Sequence, residues 1–393
     1  MSNLGRALRH RNFRLFFAGQ GTSLIGTWLT RFAMGYETYH LSHSTLVLGL
    51  VAFFSQAPTA FIAPIAGVLV DRWDRHRTII ATQYAAMFQS GALAVFALTD
   101  SMSVWVLLVL GAIQAVINGF DMPARQSFVR QMVDDRADLP NAIALNSALV
   151  NVARLIGPVV AAVLVALVGV GWCFALDSLS YIAVIASLMM MRIAKQPPRP
   201  RAGGIVDEMR AGLVYVQNHE LVRALLLLLA ATAVFGGAYM SLLPALAKGG
   251  AADELGWMMG ASGAGALVGV LYLAKRESTT GLSRVIEACS ISLGLGLVLF
   301  ELTPWLWLRV GLLFVLGAAM IVQRAATNTI VQTVVDDDKL GRVMSIYAVV
   351  FFAGAPLGAL LEGALASLIG PIHTIAIGGV VCVACALYFR RRL

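Results

Sequence analysis

GVLVDRWDRHRT, residues 67–78, separates two long apolar runs, and five of its twelve residues are charged: Asp71, Arg72, Asp74, Arg75 and Arg77. Charge is scarce elsewhere, at 13% of a chain that is 59% apolar. On either side the chain stays apolar for about the 20 residues that a helix needs to cross a hydrocarbon layer. The stretch reads as a short charged turn between two membrane spans.

The same alternation runs through the whole chain. Twelve apolar runs, separated by polar breaks, lie at 13–40, 46–70, 78–98, 104–122, 141–168, 172–192, 220–246, 254–274, 283–302, 305–324, 342–369 and 371–389. Mean hydropathy is +0.80. Lipid requires each backbone to satisfy itself, so continuous apolar runs predict helices. A β-barrel would show alternating residues instead. The expected fold class is an all-α multi-pass membrane protein with twelve transmembrane helices in two six-helix bundles. The first run follows RALRHRNFR but is too long for a signal peptide and carries Arg31 and Glu37, so it reads as the first span.

The net charge of +8 has a membrane explanation. Of the 29 Lys and Arg, all but Arg31, Arg154, Lys248 and Arg309 fall at the ends of the chain or in every second loop. That bias places both termini in the cytoplasm. No basic block with interleaved aromatics suggests a nucleic-acid surface. Cys173, Cys289, Cys382 and Cys385 all lie in or at apolar runs and read as small buried hydrophobes, with no metal expected.

The longest polar segment, AKQPPRPRAGGIVDEMRAGLVYVQNH at 194–219, divides the chain into an N-terminal bundle (1–193), a cytoplasmic linker (194–219) and a C-terminal bundle (220–393). Residues 205–216 within it predict an amphipathic helix on the inner face. The halves share a pattern: Val129 with Val331, Val133 with Val335, and Asp134-Asp135 with Asp336-Asp337 match at a constant offset of 202. Together with equal span counts, this points to an internal parallel repeat.

The spacing of Gly67, Asp71, Arg72, Arg75 and Arg77 is similar to the loop signature of the major facilitator superfamily. GFDMPARQSFV (119–129), NAIALNSALVNVARLIGP (141–158) and FALDSLSY (174–181) resemble its enterobactin-exporter-like branch. The resemblance implies the major facilitator fold and a conformational latch. In it the loop acid, Asp71, would face the start of span eleven near Gly341 and Arg342, and Arg75 would pair with Asp121. It also implies an antiporter-type motif, of which Gly157 and Pro158 are kept, with Ala161 and Ala162 in place of its closing glycines. Asp74 stands where many members have glycine. The span-four arginine is absent, with Gln114 and Asn118 in that region.

Charged and polar groups inside spans are costly and point to function. Gln20, Ser23, Thr27, Arg31 and Thr38 share one stripe of span one. Gln114, Asn118, Asp121 and Arg125 align on span four, and Ser147, Asn151 and Arg154 on span five. These stripes predict a water-filled substrate cavity lined by Gln20, Thr27, Arg31, Gln114, Asn118, Asn151 and Arg154. Arg31 and Arg154 either receive an anionic substrate group or pair with Glu37 or Asp177. Glu362, Asp177 and Glu37 are the candidates for proton coupling.

None of the four lysines follows a glycine, so a P-loop is absent and no cofactor is expected. The expected function is secondary active transport by alternating access. The leading form is proton-coupled export of a siderophore-like or amphipathic small molecule by a monomer. An importer or a lipid-like solute flippase of the same fold is the alternative. An intramembrane enzyme is remote, because neither H-E-x-x-H nor G-x-S-x-G occurs.

Overall fold

The computed structural model describes residues 3–133, 135–192, 205–237, 239–247, 251–276, 278 and 280–390. The side chains of a few helical residues, Asp71 and Arg72 among them, lie outside the described ones. Among the described residues every regular element is a helix. The chain divides into two compact units: Met1–Leu41 with Phe54–Arg201, and Ser42–Phe53 with Ala202–Leu393.

The first unit holds α1 (Arg11–Ser42, to Leu41), α3 (Ala57–Arg72), α4 (Arg75–Leu98), α5 (Val104–Phe128), α6 (Leu139–Val168) and α7 (Val170–Met189). The short α2 (Thr45–Phe54) continues into α3 through a break at Ser55-Gln56. Pro58 lies in the first turn of α3, where its missing N–H leaves no bond unmade. Most of α2 groups with the second unit, where Thr45 Oγ1 donates to the Gly363 carbonyl at 3.2 Å.

The second unit holds α8 (Ile205–Asn218), α9 (Glu220–Phe235), α10 (Tyr239–Leu246), α11 (Ala252–Ala274), α12 (Leu282–Glu301), α13 (Leu306–Val334), α14 (Asp337–Ile369) and α15 (Pro371–Phe389). Span seven is therefore two pieces, α9 and α10. The first ends at Gly236-Gly237, two residues of low helix propensity. Its core gathers Val222, Leu225, Leu229, Ile286, Ile330, Val343 and Tyr347. The matching core of the first unit holds Phe13, Phe16, Ile79, Phe128, Val184 and Leu188.

The repeat is visible in the joints. α6 and α7 meet at one glycine, Gly169, with φ +89°; α14 and α15 meet at one glycine, Gly370, with φ +90°. An L side chain rarely adopts that backbone.

Among the described residues, eleven stretches are long and apolar enough to cross a membrane. α1 is not among them, although its 32 residues span about 48 Å at 1.5 Å each. Its polar stripe lowers its hydropathy, and with it the count reaches the expected twelve.

Two expectations need correction. α13 runs ten residues past the apolar stretch 305–324, so Arg324, the last residue of that stretch, lies well inside a helix. α14 starts at Asp337 with Asp336 as N-cap, so Gly341 and Arg342 sit in its second turn. Both helices outrun the apolar region because a helix does not end where water begins. Gly67 is not a point of close helix approach, since a Cβ there would meet only Pro123 Cβ at 3.9 Å, an ordinary contact. The tight crossing of α3 and α5 is at Gly119, where a Cβ would stand 2.7 Å from Ile62 Cγ2. Gly67→Ala is accordingly expected to leave the folded yield unchanged in detergent size-exclusion chromatography. Gly119→Ala should lower it, with overpacking costing about 1–3 kcal/mol.

Candidate substrate-binding face of the first unit

α1 is threaded between α6 and α7 because small residues let it approach both. Toward α7, Gly26 of α1 admits the Asp177 carboxylate and the Ser180 hydroxyl, which a Cβ there would meet at 2.6 and 2.7 Å. On α6, Gly157 makes room for the side chain of Trp28. The first member of the antiporter-type pair thus has a local packing role, since a methyl at Gly157 would collide with Trp28. Pro158 follows it inside α6 and is buried.

Trp28 is the residue that the polar stripes did not reveal. It is 8% exposed, and two guanidiniums lie over its ring. Arg31 Cζ is 5.0 Å from the ring centroid and Arg154 Cζ is 5.3 Å from it. A cation over an indole face gains about 0.5–2 kcal/mol, more as water is withdrawn. The spacing of Trp28 and Arg31, three residues apart on one helix, was the available signal.

Arg31 keeps an exposed side chain and, among the described residues, forms no ion pair. Its electrostatic neighbours are Arg154 and Tyr181. Asp177 is not the acid partner of either arginine. Its buried carboxylate accepts from Thr30 Oγ1 at 2.7 Å and Ser90 Oγ at 2.9 Å, tying α7 to α1 and α4. Its other oxygen finds no hydrogen bond among the described residues. Glu37 is half-buried farther along α1, with His40 as an electrostatic neighbour.

The remaining cavity candidates divide. Thr27 Oγ1 donates to the Ser23 carbonyl at 3.1 Å, and Asn151 Nδ2 to the Ser147 carbonyl at 2.8 Å. Both bonds stay within one helix. Gln114 Nε2 reaches Asn118 Oδ1 at 3.2 Å on α5. Gln20 is buried, and its carbonyl oxygen has no partner among the described residues.

At the inner end of α5, the Asp121 carboxylate is saturated. Arg125 donates from Nε at 2.9 Å and Nη2 at 2.7 Å; Thr82 Oγ1 and Gln83 Nε2 each donate at 2.8 Å. The described partner of Asp121 is thus Arg125, one turn along its own helix, rather than Arg75. Arg75 is half-buried and Arg77 exposed. The latch residues Asp71 and Arg72 fall among the side chains not described. Asp74 has a plain reason to replace glycine: it is the N-cap of α4 and accepts the Arg77 N–H at 3.1 Å, so the turn closes in two residues.

In the second unit, Arg324 lies over the Phe351 ring at 5.2 Å, and its carbonyl accepts from Tyr347 Oη at 3.1 Å. Glu362 is 3% exposed on α14, and neither carboxyl oxygen has a hydrogen-bond partner among the described residues. Gly378 of α15 stands beside it.

Comparison with known proteins agrees with this architecture. The chain is 25% identical to the enterobactin exporter of Shigella boydii over 381 residues, covering 96% of this chain and 90% of that one. It is 23% identical to the staphyloferrin A transporter of Staphylococcus aureus over 394 residues, covering 96% of each. It is 23% identical to macrolide efflux protein A of Streptococcus pyogenes over 392 residues, again covering 96% of each. Among solved structures, a nucleoside transporter superposes with a TM-score of 0.71 at 14% identity over the whole of both chains. A POT family transporter bound to 5-aminolevulinic acid gives 0.74 at 12% identity, covering 97% of this chain and 96% of that one. The sequence profile of the transmembrane secretion effector family matches residues 4–393, so the chain belongs to that family of the major facilitator superfamily and is a multi-pass membrane transporter, not an enzyme.

Proposed function

We propose that the protein is a proton-coupled exporter in a bacterial inner membrane, working as a monomer with both termini cytoplasmic. Its solute is a siderophore-like or amphipathic small molecule. The observation that carries the reading is the exposed Arg31 guanidinium over Trp28, inside a helix that crosses lipid. An arginine at the centre of a span costs about 2.5–3.5 kcal/mol on insertion scales, so its presence there points to a functional use. The relatives whose names state a direction are exporters and efflux proteins, which supports outward transport. Glu362 supports proton coupling: a buried carboxyl without a partner is costly as an anion and suits a group that takes up and releases a proton. Asp177 and Glu37 are the weaker carriers, since Asp177 already holds two hydroxyls and Glu37 lies beside His40.

The test is efflux from proteoliposomes loaded with staphyloferrin A, enterobactin or a macrolide, with and without a proton gradient. At least one solute should leave faster with the gradient imposed. Rates that ignore the gradient for every solute would remove the coupling from the proposal. The charged turn at 67–78 enters the same assay as a latch made and broken in each cycle. Asp71→Asn should slow efflux severalfold at unchanged membrane insertion; wild-type efflux in that variant rules the latch out.

A further inference from the structure

We propose that the corner of the first unit where the N-terminal segment meets the end of α7 binds the headgroup of an anionic phospholipid, through Arg9, Arg11, Arg14 and Arg192. The site lies apart from the substrate face and does not depend on what the protein carries.

The segment Asn3–Arg9 and the first turn of α1 are held to the unit at three points. The Ala7 N–H donates to Asn141 Oδ1 at 3.0 Å, and His10 Nε2 meets Asp138 Oδ2 at 3.1 Å. Asn12 Nδ2 donates to the Arg192 carbonyl at 2.9 Å, and the Arg192 N–H donates back to Asn12 Oδ1 at 3.1 Å. That exchange sets Arg192, 180 residues from Asn12 in the chain, beside the start of α1. Ala7, Phe13 and Phe16 are buried in the core of the unit, so Arg11 and Arg14, three residues apart on the opposite side of α1, are turned outward. Arg9, Arg11, Arg14 and Arg192 are all exposed and form no ion pair among the described residues. Asp138, the acid that reaches this corner, is engaged by Arg6 and His10. α1 carries no acid in its first turn, so the positive end of its dipole adds to the guanidiniums. A phosphodiester answers such a cluster, because its oxygens take the two-pronged donor edge of a guanidinium. Basic clusters at the end of a span attract anionic lipid in this way. Clamping the segment in advance lowers the ordering cost of binding. Met189 and Met190, just before Arg192, are 63% and 56% exposed. They offer an apolar flank that acyl chains cover and a soluble anion leaves bare.

Native mass spectrometry of the purified full-length chain, titrated with dioleoylphosphatidylglycerol or dioleoylphosphatidylcholine, tests this. The first phosphatidylglycerol should bind about 25-fold more tightly than phosphatidylcholine, at roughly fivefold for each of two guanidiniums on one headgroup. Arg11→Gln combined with Arg14→Gln should cut that preference by about fivefold or more. Lys275→Gln combined with Arg284→Gln removes two exposed cations of the second unit and should leave the preference unchanged. Should the Arg11 and Arg14 pair fail to fold, Arg9→Gln combined with Arg192→Gln carries the test, since both lie outside the long helices. Ammonium phosphate, in place of acetate at equal ionic strength, should not displace the lipid. Equal binding of the two lipids by the wild-type chain overturns the inference. So does a preference that neither arginine pair lowers, or one that the second-unit pair lowers as much. Displacement by phosphate would make the corner a site for soluble anions and overturn it as well.

Discussion

Glu362→Gln is expected to bring gradient-driven efflux to background while solute exchange continues and thermal stability holds or rises. The two halves of that result have one cause. Glu362 is buried on α14 with both oxygens lacking hydrogen bonds among the described residues. Gln keeps the volume but cannot titrate, so a step that needs proton release stops. Exchange of solute for solute needs no proton movement and should survive. A buried polar group without partners is a cost to the fold, and replacing the acid removes the worst of it, the unpaired anion. Efflux and exchange are read in the same proteoliposomes, and stability by a thermal shift in detergent. Efflux at the wild-type rate would move proton coupling to another carboxyl. A large drop in stability would mean that the acid holds structure together.

The second large effect falls on assembly. α11 and α13 cross so closely that a Cβ at Gly265 would run into the Phe314 carbonyl, and one at Gly317 into the Ser262 carbonyl. The obstacle in both cases is backbone, which cannot rotate aside as a side chain can. Overpacking a core costs about 1–3 kcal/mol and occasionally more, and backbone obstacles belong at the upper end. Gly265→Val should therefore abolish the monodisperse peak in fluorescence-detected size-exclusion chromatography. A normal peak would show that the two helices separate without penalty.

Most of the fold was legible because lipid makes hydrophobicity nearly sufficient: a run of the right length has to be a helix. The misreadings come where that rule is silent. The tenth run was read to end at Arg324, whereas α13 continues for ten residues. The break before α3 lies at Ser55-Gln56, inside an apolar run that hydropathy reads as continuous. Within the candidate site, Arg31 and Arg154 stood out as charges in lipid. Trp28 did not, since an indole in an apolar run looks like any other core residue until a cation is found over it. Asp121 teaches the opposite lesson. Arg125 lay at the i+4 position of the same stripe, where helix neighbours meet. The family pattern assigned Asp121 to Arg75 instead, and the local rule was the better guide to its described contacts.

The polar stripe of α1 has a consequence for how the protein is made. α1 is synthesised before α6 and α7, the helices that it packs against, and carries Arg31 in its C-terminal half. On insertion scales that one residue offsets roughly five to ten favourable leucines. The neighbours that give α1 its place, α6 at Gly157 and α7 at Ser180 and Asp177, are synthesised well over a hundred residues later. Release of α1 into lipid is thus coupled to the arrival of the last helices of its own unit. The same side chains that suit it to hold a solute make it the helix most dependent on retention at the insertion machinery.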